Sequence, residues 1–174
     1  MRNYKNYLHT LFKRSFARIG FAVLFVVLGL SSTAFADIVT EWNAIATTVI
    51  VTNEKRAAGA AIVDAAYMHA AMYDAINGIN PRFSQFAVVP SNVVAGSSEA
   101  AAGAAAAYTV LVHLFPNQKP FLDEKYAQSL AQISDDQSKT DGIAIGTEVA
   151  EKLIKLRAGD GWNAPVSITP GNGP

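Results

Sequence analysis

The chain has 174 residues, no cysteine, and 14 Lys plus Arg against 14 Asp plus Glu. Without cysteine, thiol catalysis and Cys-ligated zinc are excluded, and thiol usage marks no redox compartment. Arg2, Lys5, Lys13, Arg14 and Arg18 all precede the first acidic residue, so residues 37–174 carry 9 − 14 = −5, which argues against a nucleic-acid surface.

The basic start leads into an apolar run, Phe21–Leu30, and then Ala34-Phe35-Ala36, the small-x-small pattern cut by signal peptidase. A spanning helix needs about 20 apolar residues, and an uncleaved anchor would have to stretch through milder residues to Ala36. The expectation is a signal peptide over 1–36, a mature N-terminus at Asp37, export to the periplasm or beyond, and no membrane contact after cleavage. The remaining residues suit one domain, read as a helical scaffold over 37–161 followed by a Pro/Gly-rich coil over 162–174.

The predicted fold class is all-α, a compact bundle of about five helices around a long Ala-rich helix. Trp42, Ile45, Ala46 and Val49 match a helical face, although the β-branched run Thr47–Thr52 also has strand character; no second strand-like run could pair with it. Asn53 with Glu54 is positioned to cap the long helix, Arg56–Asn80. In that helix Ile62, Ala66, His69, Tyr73 and Ile76 share one face, and Asp64, Tyr67, Met68, Ala71 and Asp74 a neighbouring one. Asn77-Gly78 and Asn80-Pro81 end it. Residues 81–96 are irregular, and Phe83, Phe86, Val88 and Val89 predict a loop lying on the helices.

Ser97 or Ser98 is expected to cap an Ala-rich helix ending at Phe115-Pro116, with Tyr108, Leu111, Val112 and Phe115 inward. Pro120 suits the first turn of the next helix, whose inner face is Leu122, Tyr126, Leu130 and Ile133. Ser134-Asp135-Asp136-Gln137 has capping-box spacing. The helix after it places Ile143, Gly146, Val149, Leu153 and Leu156 on one side and the Glu148–Lys152 and Glu151–Lys155 pairs on the other.

Chemistry-bearing motifs are sparse. His69 and His113 are the imidazoles beyond the leader, and neither belongs to a His-x-x-x-His pair. His69 is expected as a buried histidine bonded to a carbonyl, carboxylate or tyrosine, and His113 as a favourable charge near a helix C-terminus. Asp64 and Asp74 lie about 15 Å apart along the helix, too far for a glycosidase pair; Arg56, Arg82 or a lysine are their expected partners. Gly159-x-Gly161 and Gly171-x-Gly173 follow no strand, and Gly-x-Ser-x-Gly is absent. No catalytic, cofactor-binding or metal-ligating residue is assigned.

The order of features nevertheless has a likeness. Trp42-Asn43 precedes His69-Ala70-Ala71-Met72-Tyr73-Asp74-Ala75-Ile76-Asn77. Next come Leu114-Phe115-Pro116, Gly142-Ile143-Ala144-Ile145-Gly146, Leu156-Arg157-Ala158-Gly159-Asp160-Gly161, and Thr169-Pro170-Gly171-Asn172-Gly173-Pro174. This resembles the N-terminal half of exported bacterial members of the vanadium-dependent haloperoxidase and type-2 phosphatidic-acid phosphatase superfamily, over residues 37–174. The resemblance implies an α-helical protein whose chemistry comes from Lys…Arg-Pro, Pro-Ser-Gly-His and Ser-Arg-x5-His motifs that hold vanadate or phosphate. None of these occurs here: Pro90-Ser91 continues as Asn-Val, and Arg82 follows a proline instead of preceding one. The implied reading is a scaffold without catalysis of its own and without a cofactor, vanadate being possible in the full-length protein. Its partner would be a missing C-terminal catalytic half or a second copy of itself, and not nucleic acid. A self-contained exported partner-binding module is the competing reading.

Overall fold

A computed structural model describes residues 37–161. The expected leader, 1–36, and the expected coil, 162–174, lie outside the described residues. Within them the chain is all-helical, as expected: α1 (Ile38–Thr47), α2 (Ala58–Ile79), α3 (Glu99–Leu114), α4 (Lys119–Ala131) and α5 (Gln137–Arg157).

The β-branched run after α1 does not form a strand. It forms a wide π-helical turn, Thr48–Asn53. Thr47 and Thr48 turn their hydroxyls back onto the carbonyls of Asn43 (2.8 Å) and Ala44 (3.1 Å), a bonding that competes with regular α geometry. The Arg56 N–H then reaches back to the Ile50 carbonyl, and Lys55 takes a positive φ of 48° that turns the chain toward α2. Here the expected cap fails. Ala57 occupies the N-cap of α2 without a side-chain bond, while Asn53 and Glu54 are drawn to Gln118, the former accepted by its Oε1 at 2.8 Å and the latter accepting from its Nε2 at 2.6 Å.

Three other starts are capped, that of α1 by Asp37, which accepts from the Val39 N–H (3.4 Å). Ser98 accepts from the Ala101 N–H (3.1 Å) at α3. At α5 the cap is Asp136, accepting from the Lys139 N–H (3.2 Å), and not the Ser134 box. The Ser138 hydroxyl and that N–H hold the Asp136 carboxyl below its usual range. A short 3-10 turn, Pro116–Gln118, joins α3 to α4, with Pro120 in the first turn of α4 as expected.

The core lies where α1, α2, α4 and α5 close on α3. Trp42, Met68, Met72, Leu111, Leu122 and Val149 are fully buried. On α3, Ala101 to Ala107 are all buried, so this helix presents mostly backbone and methyl groups to its neighbours. α5 runs beside it in the same direction: Gly142 faces Ser98 and Ala101, and Gly146 faces Ala102. A Cβ on Gly146 would lie 2.1 Å from the Ala102 carbonyl oxygen, and one on Gly142 2.4 Å from that of Ser98. The two starts are tied by the Ser98 N–H donating to the Ser138 carbonyl (2.9 Å).

The outer helices differ in part from their predicted faces. Leu122 of α4 is buried, with Tyr126, Leu130 and Ile133 only half-buried; Tyr126 stacks on Tyr108 (centroids 4.4 Å apart) and meets Trp42 edge-on. On α5, Gly146, Val149 and Leu153 are buried as expected, but Leu156 is 63 % exposed. α2 departs most. The buried face carries Asp64, Tyr67, Met68, Ala71, Met72, Asp74 and Ala75, whereas Ile62 is 70 % exposed and Tyr73 is exposed too.

Candidate functional site

The outward face of α2 is deeply contoured. His69 and Tyr73 stand on it as a ridge between two apolar grooves. The smaller, about 390 Å³, runs toward α1 and the start of α3, with Val39, Met72, Ile76 and Phe83 as walls and Asn80, Arg82 and Glu99 as polar groups. The larger, about 760 Å³, runs toward the end of α5, between Ile62, Val63, Tyr67, Phe86, Leu153 and Arg157. The Arg157 guanidinium lies over the Tyr67 ring, 4.6 Å from its centroid, a cation–π geometry. Burial raises the Tyr67 hydroxyl above the ordinary tyrosine range, partly offset by Arg157. That hydroxyl and the Trp42 indole N–H are buried atoms without a hydrogen-bond partner among the described residues.

His69 does not have the deeply buried setting expected for it. It is half-buried, and its Nε2 lies 3.1 Å from Asn43 Oδ1, so as a donor it ties α2 to α1. His113 is exposed in the last turn of α3, where a cation suits the helix dipole.

Below the ridge, three residues of α2 seat the loop 81–96. Asp74, fully buried, accepts three consecutive backbone N–H groups: Phe86 at 2.6 Å, Ala87 at 2.9 Å and Val88 at 2.7 Å. One turn on, Asn77 Oδ1 accepts from the Arg82 and Phe83 N–H groups, and its Nδ2 donates to the Phe83 carbonyl at 2.8 Å. The Tyr73 hydroxyl donates to the Ser84 carbonyl at 2.9 Å. Pro90 then closes on Gly78, where a Cβ would lie 2.4 Å from its ring. The loop has no ladder of its own, and its polar backbone must be satisfied somewhere; α2 supplies the partners.

This corrects the expectation for Asp74, whose partners are amides and not a cation. For Asp64 the expectation holds, since Arg56 Nε donates to it at 2.8 Å. The loop does lie on the helices, but Val88 alone of its four predicted apolar contacts is buried; Phe83 and Phe86 are 72 % and 74 % exposed. The latch had one sequence signal: Asp and Asn three residues apart at a helix end, followed by an irregular stretch with many unpaired N–H groups.

Several cationic groups of the described residues are held by carboxylates. Arg56 pairs with Asp64, Lys119 with Asp123, Lys152 with Glu148 and Arg157 with Asp160. Lys119 and the Tyr108 hydroxyl, both on Asp123 Oδ1, hold that carboxyl below its ordinary range. An oxyanion such as vanadate needs several donors aimed at one point, and these four cations each face a carboxylate instead. Among the described residues no group of three or more His, Asp or Glu is placed to share a metal ion, and no helix is long and apolar enough to cross a membrane.

Comparison of the chain with family models, with curated proteins and with solved structures gives no match.

Proposed function

We propose that residues 37–174 are the N-terminal helical scaffold of an exported protein of the vanadium-dependent haloperoxidase and type-2 phosphatidic-acid phosphatase superfamily, inactive by itself. One observation supports this most. Tyr73, Asp74 and Asn77, from the motif that carries the resemblance, spend their polar atoms on seating the loop 81–96 and leave none aimed at a ligand. In this reading the motif is architectural. The seated loop also holds Phe83, Val89, Val93 and Val94 in water, an apolar surface suited to a second set of helices. That set is the C-terminal catalytic half, or else a second copy of the chain.

The test is a joint assay of the purified chain. Titration with vanadate by calorimetry, with bromoperoxidase and phosphatase assays alongside, is expected to give background values. A hydrophobic dye should bind, and intact mass of exported material should begin at Asp37. Stoichiometric vanadate binding would overturn the inactive-scaffold reading.

A second reading, a self-contained exported partner-binding module, draws on the fully buried core around Trp42, Met68 and Leu111. A monomer with a sharp cooperative melt and no dye binding would put that reading first.

A further inference from the structure

The groove between α2 and the last turns of α5 has a volume of about 760 Å³. It is apolar and partly aromatic, with Tyr67, Tyr73 and Phe86 among its walls, and Ile62 and Phe86 at its rim are mostly exposed. We infer that this groove is the docking site of the chain's own segment 162–174, Trp-Asn-Ala-Pro-Val-Ser-Ile-Thr-Pro-Gly-Asn-Gly-Pro.

Position comes first. Leu153 and Arg157 form the α5 wall, and the segment begins five residues after Arg157, so the chain leaves α5 at the edge of the groove. Reach is ample. The α2 wall from Ile62 to Tyr73 is about 17 Å long at 1.5 Å per residue, while thirteen extended residues span up to about 43 Å.

Chemistry selects the same occupant. The segment carries no charged side chain; it offers Trp162, Val166 and Ile168, and its three prolines bias it to an extended form. Extended proline-containing segments are what aromatic-lined grooves accept, because little ordering entropy remains to be lost. A tethered segment also competes at an effective concentration in the millimolar range. A second copy of residues 37–174 would bring another net charge of 9 − 14 = −5 toward the first, which opposes association. The inference does not depend on the family reading.

The lack of cysteine in the chain makes the test direct. In the full chain, Ile62→Cys is combined with Val166→Cys; Ile62 is exposed, so the core is untouched. A control pairs Val166→Cys with Gln128→Cys on the exposed side of α4. Under mild oxidation the first pair should form an intramolecular disulfide at least tenfold faster, read by intact mass and peptide mapping. Equal rates would overturn the inference, as would a disulfide between two chains. In a second measurement, Trp162→Ala with Ile168→Ala should raise binding of a hydrophobic dye severalfold; unchanged dye binding would also overturn it.

Discussion

Two contacts hold this fold by opposite means. Where α3 and α5 come closest no side chain lies between them: Gly142 and Gly146 let one backbone approach the other until carbonyl oxygens fill the place of a Cβ. Between α2 and the loop 81–96 the contact is polar, with one carboxylate and one carboxamide answering five backbone N–H groups. The first contact is specified by shape and tolerates no added atom. The second is specified by hydrogen-bond count and leaves Phe83, Phe86 and Val89 outside, with Val88 alone of the four reaching the core. Glycine-mediated closeness builds the body of the protein, and the carboxylate latch builds its surface.

The largest effect should come from the latch. Asp74→Ala strands three N–H groups in a partly buried loop, at about 1 kcal/mol each once water returns, or about 3 kcal/mol in all. Limited proteolysis should then cut within residues 82–89 while the far-UV helical signal stays. Loss of the whole helical signal would erase the distinction between latch and body.

Next is Gly146→Ala. Overpacking against the Ala102 carbonyl costs about 1–3 kcal/mol, against a gain of about 0.5–1 kcal/mol for replacing a mid-helix glycine. The net expectation is a loss of about 1–2 kcal/mol in chemical denaturation. Gly59→Ala, where a Cβ meets nothing within 4 Å, should stabilise slightly. The same sign for both would mean that the α3–α5 approach is not the governing contact.

The smallest effect is a pH dependence where loop meets body. Glu148 accepts from Lys152 Nζ (2.6 Å) and from the Ser91 N–H (2.9 Å), and the Lys152 ammonium, then Ser91, hold its carboxyl below the ordinary 4.5. A lowered folded value means this tie is fully present above pH 4.5 and fades as pH falls through the folded value. At a surface ion pair the contribution is below about 1 kcal/mol. Thermal melts of the chain and of Glu148→Gln between pH 3 and 6 should converge at the acid end. Parallel curves across the range would remove this link between the regions.

Much of the fold was legible from residue order. The number of helices, the Asn-Pro stop after α2, the Ser98 cap, Pro120 in a first turn and the Glu148–Lys152 pair follow from local rules, because each involves groups within a few residues. Local rules also misassigned two caps, since Asn53 and Glu54 were taken by Gln118, more than sixty residues away, and Asp136 stood closer to the start of α5 than Ser134. The site was less legible. A likeness in the His69–Asn77 motif pointed to α2, but nothing local said that Asp74 would bond the amides of residues twelve to fourteen positions on.

The sequence by itself determined that α2 is a long helix with two candidate faces. Tertiary structure decided which one is buried. α2 is alanine-rich around its whole circumference, so periodicity defines the relative phase of its residues without ranking the faces. The face with Asp64, Met68, Ala71 and Ala75 is buried in the core. There the small-residue surface of α3 lets its neighbours come close, and each carboxylate has a partner. His69, Tyr73 and Ile62 were left to shape the outer grooves.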